Sequence, residues 1–432
     1  MLAHFQAAVR STTAAALLAC AAFAAQDARS STRSATIAPD AATLGEHGPS
    51  TSFELTSAYF GTLSVWAEAD HADLYMRLED EHGALLAEDD DTGGGTTPWI
   101  RHTTPAGVRF TLRVSVKNAN APTALRLEVR ELEETDATRR AYENASSGLE
   151  ETRVSQASGD HVGARERLTA VADALLADAA IRGSVSFHKA LMQIGRQFAE
   201  WSDGAACLKV ALVRRDAMRG WYPPLSEAWV EVHHEICNAY LQLEARADAL
   251  VACAESLELF EGSFPKGNVN ISIARLAYGQ ALSRAQQLEE ARDQMERAVA
   301  DARAGTSDAL HILYMEDELA SVLYALGLHE DSRRLHQHCV DQLESQFPAD
   351  DRFLMSARNN LAASLSELGD KRGALAMHQR NLAIAERSWD HDHPERLNYA
   401  LNVGVCKLAL GDAAEALPLL EDVRATLARL DL

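Results

Sequence analysis

A repeat of about 42 residues constrains the fold of this chain more than any other feature of its sequence. Beyond residue 133, apolar residues recur with the period of helices, and turns interrupt them in a fixed phase. Successive turns are 42, 43, 42, 41, 42 and 42 residues apart. The turn residues are Gly159, Trp201, Glu244, Gln286, Gly327, Gly369 and Gly411. A repeat of this length is typical of stacked helical hairpins, so residues 135–432 are predicted to form about seven of them.

A small residue stands five positions after each turn residue and supports this prediction. These residues are Ala164, Ala206, Ala249, Ala291, Ser332, Ala374 and Ala416. In stacked hairpins the second helix crosses the first so closely that only a small side chain fits. Each repeat is therefore predicted to be a helix, a turn and a second helix.

The best-formed copies of the repeat resemble a known family. The segment Leu361–Leu375 has the same order of leucine, small residue and turn glycine as Leu319–Ser332 and Val403–Leu417. This order resembles the tetratricopeptide repeat, and Asp390–Pro394 resembles the inter-repeat loop of the longer kinesin-light-chain variety. The resemblance covers about 290 residues and is strongest from Ala274 onward. It implies a curved α-solenoid whose first helices line a concave groove.

The resemblance also indicates which side chains would line that groove. In the geometry of the repeat, positions six, nine, ten and thirteen before the turn residue approach the concave face. The larger polar residues at these positions are Glu231, Glu235, Asn238, Gln280, Tyr314, Asp317, Glu318, Asn359, Asn360, Asn398 and Asn402. Because asparagine amides can hydrogen-bond the backbone of an extended segment, we expect a protein or peptide ligand.

Residues 51–131 have the period of strands. Apolar residues occupy alternate positions in the segments 63–67, 74–78, 110–116 and 125–129, and glycine- or asparagine-containing turns separate them. Six or seven short strands without an intervening helix predict a small antiparallel β-sandwich. The predicted fold class is therefore a multidomain protein, with this sandwich followed by an all-α solenoid.

The order of residues in this sandwich resembles the bacterial pre-peptidase C-terminal (PPC) domain. The matching segments are Gly61–Val65, Ala72–Leu78, Asp80–Gly83 and Gly107–Val114. The resemblance implies a module found on many secreted bacterial proteins. Its acidic turns could supply oxygen ligands to calcium, but solvated turns are the simpler interpretation. The candidate calcium ligands are Asp70, Asp73, Asp89, Asp90 and Asp91.

The N-terminus predicts export. Arg10 precedes the apolar stretch 14–25, which suits a secretory signal segment over residues 1–25. Ala22-Phe23-Ala24 offers an ordinary cleavage site, whereas Leu17–Cys20 resembles a lipobox in which Cys20 would be lipidated. Residues 26–50, rich in Ser, Thr and Ala, are predicted to be a flexible linker. The predicted location is the periplasm or cell envelope, with membrane contact only through a lipid on Cys20.

The number and spacing of the remaining cysteines are not those of a disulfide framework. They are odd in number and scattered through helical patterns, which predicts buried free thiols. They are Cys207, Cys237, Cys253, Cys339 and Cys406. In an oxidising compartment, a Cys237–Cys253 bridge within one hairpin is the alternative.

Charge and motifs favour a binding protein over an enzyme. A net charge of −22 argues against nucleic acid, because phosphate binding needs clustered Lys and Arg. Asp91-Thr92-Gly93 occurs once, without the second half of an aspartic protease. His233-His234-Glu235 lacks the second histidine of a zinc-protease helix. We therefore predict no catalytic residues and no cofactor beyond calcium.

The predicted function is that of an exported bacterial scaffold or adaptor, which binds protein partners through the groove of its repeats. The alternative is an accessory or regulatory subunit of a CHAT-type or other envelope peptidase, because repeats of this variety often precede CHAT domains. Homo-oligomerisation is left open.

Overall fold

A computed structural model describes residues 29–37, 48–57, 61–69, 73–90, 98–117, 122–133, 136–177, 185–219, 226–305 and 308–429. The chain divides into two compact units, residues 1–265 and 266–432. The predicted signal segment, with Cys20, lies outside the described residues. In the part of the chain that is described, no helix is both long enough and apolar enough to cross a membrane.

The first unit begins with two four-stranded sheets. Their strands are β1 (Arg29–Ile37), β2 (Ser50–Thr56), β3 (Gly61–Glu68), β4 (Asp73–Asp80), β5 (Leu85–Asp90), β6 (Trp99–Thr104), β7 (Arg109–Lys117) and β8 (Thr123–Glu133). The strand orders are β1-β8-β3-β6 and β2-β7-β4-β5, with antiparallel neighbours. The predicted antiparallel sandwich is confirmed.

The alternation in the sequence determines the core between the two sheets. Leu63 and Val65 from one sheet pack in the same buried cluster as Met76 and Leu112 from the other. Each is at most 1% exposed, because alternate side chains of a strand point to the same face. The PPC identity of this sandwich remains a prediction.

Strand β1 lies inside the segment where the sequence predicts a flexible linker. Its main chain pairs with β8 from Arg29 opposite Glu131 to Ile37 opposite Thr123. The Arg33 guanidinium donates a hydrogen bond of 2.8 Å to the carbonyl of Glu54. An edge strand needs a main-chain partner rather than apolar alternation, so its Ser- and Thr-rich sequence gave no strand signal. The linker prediction is wrong for these nine residues.

Six helices follow in the first unit and form three hairpins. They are α1 (Asp136–Ala157), α2 (His161–Ala177), α3 (Val185–Glu200), α4 (Gly204–Met218), α5 (Glu227–Gln242) and α6 (Arg246–Ser263). Gly159, Ser202 and Glu244 stand in the turns with positive φ.

The second unit consists of four more hairpins. Its helices are α7 (Val269–Arg284), α8 (Leu288–Gly305), α9 (Ala309–Ala325), α10 (His329–Gln346), α11 (Arg352–Glu367), α12 (Lys371–Ser388), α13 (Pro394–Leu410) and α14 (Ala413–Arg429). Their turns use Gln286, Gly327, Gly369 and Gly411 at positive φ. Over the described residues the seven predicted hairpins are therefore present, and the helical-repeat fold is confirmed.

Local sequence signals set the ends of these helices. Asp370 caps α12, since its carboxylate accepts a hydrogen bond of 2.9 Å from the Gly373 amide. The histidine of the inter-repeat loop, His393, caps α13, and Pro394 takes the first helical position. The small residues of the repeat lie where the helices cross, as Ala374 and Ala416 are fully buried.

The second hairpin is displaced by one residue from the predicted phase. The left-handed turn residue is Ser202, with φ of 54°, instead of Trp201. Asp203 then caps α4, and the buried small residue five positions after Ser202 is Cys207, whereas Ala206 is half-buried. Trp201 packs edge-on against Phe198, which explains a large side chain beside the turn.

A disulfide joins Cys237 of α5 to Cys253 of α6. Both residues are fully buried, and their Cα atoms are 4.8 Å apart across the hairpin. The prediction of free thiols is therefore wrong for this pair, because two facing helices bring the cysteines within bonding distance. It is confirmed for Cys207, Cys339 and Cys406, which are free and buried.

Candidate functional site

The first helices of the second unit carry a connected row of polar side chains. In each hairpin these groups lie on one face of α7, α9, α11 or α13, because residues three or four apart are neighbours on a helix. Several hydrogen bonds join residues 43 positions apart, from one first helix to the next. We call the following residues the polar ladder: Gln280, Tyr314, Asp317, Glu318, Asn359, Asn360 and Asn402.

Asp317 is the most buried member of the polar ladder, with 6% exposure. One carboxylate oxygen lies 2.8 Å from Nδ1 of His336, and the other accepts a 3.0 Å hydrogen bond from the Asn360 amide. Its main-chain carbonyl accepts a hydrogen bond from Ser321. The carboxylate is therefore engaged inside the protein, where it positions Asn360.

Asn359 and Asn402 link α11 to α13. The Asn402 amide nitrogen donates a 3.0 Å hydrogen bond to the Asn359 side-chain oxygen, and both residues are half-buried. An asparagine amide has two N–H donors and an oxygen that can accept two hydrogen bonds. The pair therefore keeps hydrogen-bonding capacity for a ligand while each side chain is held in place by the other.

Gln280, Tyr314 and Glu318 form the polar contacts between α7 and α9. Gln280 hydrogen-bonds both Tyr314 and Glu318, and Tyr314 also bonds Glu318. Burial raises the pKa of Glu318, and the hydrogen bond from Gln280 acts in the opposite direction. Tyr314 is 42% exposed and its ring meets Phe353 of α11 edge-on, so part of its aromatic ring is open to solvent.

Exposed residues of α13 extend this face. Asn398 is exposed near the start of the helix. Leu401, Val405 and Leu408 follow at a spacing that places them on one side, and they are 40%, 52% and 48% exposed. A segment bound along the polar ladder would find apolar contact area at this end.

A cavity of about 180 Å³, which we call the first-helix cavity, opens between α9, α11 and α13. It is lined by Tyr324, Ser366, Glu367, His378, Asn402 and Val405, together with the smaller residues Ala362, Ala363 and Cys406. The Tyr324 hydroxyl donates a 3.3 Å hydrogen bond to the Glu367 carboxylate. This cavity was not predicted from the sequence; its signal was the pair of alanines on α11, which leaves room where a longer side chain would fill the space.

In the first unit, two predicted groove residues neutralise a buried arginine. Arg214 of α4 is 2% exposed, and its guanidinium donates 2.6 Å hydrogen bonds to both carboxylate oxygens of Glu235. Glu231 lies 3.8 Å from the same guanidinium. These carboxylates therefore hold α4 against α5, and Asn238 lies half-buried one turn farther along α5.

The histidine motif of α5 has a packing role. Nδ1 of His233 lies 2.9 Å from the carbonyl of Trp229. His234 packs edge-on against Phe260, and burial lowers its pKa to about 4. Among the residues that the structure describes, no group of three or more His, Cys, Asp or Glu side chains is placed to hold a metal ion.

The candidate calcium ligands fall mainly where side chains are not described. Asp70 and Asp91 lie outside the described residues. Tyr75 pairs with Asp90, so the β4–β5 register brings Asp73 and Asp90 to the same end of the strand pair. Asp89 is half-buried one residue before Asp90. Calcium binding therefore stays a prediction.

A family model of the tetratricopeptide repeat matches residues 309–387 and 353–428. These matches cover α9 to α14, the region with glycine turns and the largest part of the polar ladder. A comparison with curated proteins finds no significant match.

Several solved structures are similar to the chain. Kinesin light chain "nearly identical TPR-like repeats" from Podosopora anserina are 21% identical, with a TM-score of 0.42, over 46% of this chain and 96% of that one. BtubC (BKLC) from P. vanneervenii is 17% identical, with a TM-score of 0.43, over 55% and 91%. The quorum sensor NprR from B. thuringiensis is 13% identical, with a TM-score of 0.43, over 66% and 87%. By the family match, residues 309–428 are tetratricopeptide repeats, as the order of residues in their sequence indicates.

Proposed function

We propose that this protein is an adaptor without catalytic activity that binds an extended segment of a partner protein along the polar ladder. The observation that carries this proposal is the Asn359–Asn402 hydrogen bond between α11 and α13. It fixes two amides on neighbouring first helices and leaves each with donors or acceptors to spare. Backbone amides and carbonyls of an extended peptide are the groups that such a row recognises without regard to sequence.

The proposal places the protein outside the cytoplasm, in the periplasm or cell envelope. The apolar segment 14–25 after Arg10 supports export, and Cys20 is the residue that a lipid anchor would use. The buried Cys237–Cys253 disulfide supports an oxidising compartment. A separate CHAT-type or other envelope peptidase is one partner that the same binding activity would serve, with this chain as its accessory subunit.

Binding of peptide libraries to the full chain tests the proposal. Each pool carries one fixed central residue among randomised neighbours, and fluorescence anisotropy measures binding. We expect the Asn359→Ala/Asn402→Ala variant to bind the favoured pools roughly tenfold more weakly, because two ligand hydrogen bonds of about 0.5–1.5 kcal/mol each are lost. The two asparagines satisfy each other, so removing both should disturb the fold little.

Gln379→Ala is the matched control, because this exposed amide lies on the second helix α12. It should bind every pool as the unaltered chain does. An equal loss in both variants, or no binding of any pool by the unaltered chain, contradicts the proposed function.

A further inference from the structure

The first-helix cavity has the size of a site for one side chain. Its volume of about 180 Å³ is below the ~300–1,000 Å³ of pockets that enclose drug-sized ligands. Its exposed lining residues, Ser366, Glu367 and Val405, lie on the same first helices as the polar ladder. Asn402 belongs to both, so a peptide on the ladder passes the mouth of the cavity.

The imidazole of His378, on α12, forms part of the lining of this cavity. The residue is 7% exposed, and its Nδ1 is buried without a hydrogen-bond partner. Because Nδ1 has almost no accessible surface, Nε2 is the ring nitrogen that a ligand in the cavity can reach. Burial lowers the pKa of His378, so the ring is neutral near pH 7, and with the proton on Nδ1 its Nε2 accepts a hydrogen bond.

The charge of the lining residues favours one kind of ligand group. Glu367 is the one formally charged residue among those described around the cavity, and its carboxylate already accepts a hydrogen bond from Tyr324. Ser366 and Asn402 add further oxygen acceptors. Acceptors beside a carboxylate favour a positively charged donor, which also suits a chain with a net charge of −22.

The apolar part of the lining suits a long methylene stem. Ala362, Ala363 and Val405 provide this wall. A lysine buries its four methylene groups along apolar surface and carries a compact ammonium with three donors and no acceptor. Arginine has a wider planar head that needs a forked set of acceptors.

We infer that the first-helix cavity accepts one lysine side chain of the bound segment, whose ammonium is held by His378 and Glu367. This inference rests on the proposed function and names the residue that the groove selects. Lysine would then fix the register of a segment whose backbone is otherwise bound without sequence preference.

The peptide libraries test the inference through the fixed central residue. We expect the lysine pool to bind roughly tenfold more tightly than the norleucine pool, which has a straight apolar side chain without the ammonium, and more tightly than the arginine pool. His378→Phe should abolish this preference and leave the norleucine pool bound as before. Glu367→Gln should reduce the preference about two- to fivefold, because its carboxylate is exposed, whereas the matched control Glu386→Gln on α12 should leave it unchanged.

Nitrogen NMR of the imidazoles gives a readout that does not depend on His378→Phe folding. Addition of a peptide from the lysine pool should shift the Nε2 resonance of His378, and the norleucine analogue should not. Pools that bind equally with lysine and norleucine, or a lysine preference that survives both substitutions, would overturn the inference while the proposed function stands. Absence of binding by any pool would instead contradict the proposed function, and the inference with it.

Discussion

The helices of the first and second units build similar hairpins with different chemistry. In α5 and α6 a buried disulfide and the Arg214–Glu235 ion pair hold the helices together. In α9 to α13 neutral amides join neighbouring first helices, and the buried Asp317–His336 pair joins α9 to α10. The repeat geometry therefore tolerates several means of joining helices. What it requires throughout is the left-handed turn and the small residue at the crossing.

The largest expected effect concerns the disulfide. The Cys237→Ala/Cys253→Ala double variant should lose about 3 kcal/mol of unfolding free energy in the first unit, because a bridge across 16 residues restricts its unfolded chain. Hydrogen exchange should quicken in α5 and α6 and stay unchanged in α9 to α13. The control is Cys339→Ala, which removes a free buried thiol from the second unit. Equal protection of α5 and α6 in the double variant and the unaltered chain would show that the disulfide does not stabilise these two helices.

Removal of the buried Asp317 carboxylate from the second unit should have the next largest effect. Asp317→Ala leaves His336 and Asn360 without their shared acceptor, at a cost of about 2 kcal/mol in the second unit. Urea unfolding followed by hydrogen exchange measures this loss. The exposed Asp341→Ala on α10 is the matched control and should change the unfolding free energy by less than about 0.5 kcal/mol. Similar losses of unfolding free energy in the two variants would show that the contacts of Asp317 do not stabilise the second unit.

One turn substitution in each unit tests whether both units need the same left-handed turn residue. Gly369→Ala should cost about 1–2 kcal/mol, since φ is 86° there and an added Cβ would meet no atom within 4 Å, so only backbone strain acts. Glu244 holds the same conformation with φ of 53°, and Glu244→Gly should stabilise the first unit by about 0.5–1 kcal/mol. Thermal unfolding of both variants measures the two shifts. Shifts of the same sign would contradict a shared turn requirement.

The smallest effect concerns the pH dependence of the second unit. Burial holds the pKa of Glu318 above its ordinary value of 4.5. Its contribution to stability is then fully present below about pH 4.5 and is lost as the pH rises through the folded-state pKa. Glu318→Gln should remove this decline, so its unfolding free energy should fall less than that of the unaltered chain between pH 4 and 7. If the unfolding free energies of Glu318→Gln and the unaltered chain change in parallel with pH, the Glu318 carboxyl does not contribute to this pH dependence.

The sequence predicted elements with strong periodicity and missed those fixed by single contacts. The alternation around Leu63 and Val65 was enough for the sandwich core, and turn glycines such as Gly369 were enough for the repeat. Strand β1 was not predicted, because main-chain pairing with β8 requires no alternation of apolar side chains in its sequence. The Ser202 turn was assigned one residue too early, because no glycine marks it and a 42-residue spacing from Gly159 leads to Trp201.

The candidate site was predictable only in part for a related reason. The repeat phase predicted Asn359 and Asn402 on neighbouring first helices, where a hydrogen bond joins them. It could not show that Asp317 is engaged by His336 of another helix, since that contact depends on packing between helices. The same holds for His378, which belongs to a second helix and reaches the first-helix cavity from behind the groove.

The constant offset of these hydrogen bonds between first helices has a consequence for how such an array changes length. Donor and acceptor stand 43 positions apart in three separate contacts, one more than the prevailing repeat length of 42. Duplicating a whole repeat would give every new side chain its partner at the same offset. Inserting a single residue inside a helix would instead uncouple all the contacts that span it. Genes for such arrays can therefore grow by whole modules, whereas small insertions are tolerated only in the loops between helices.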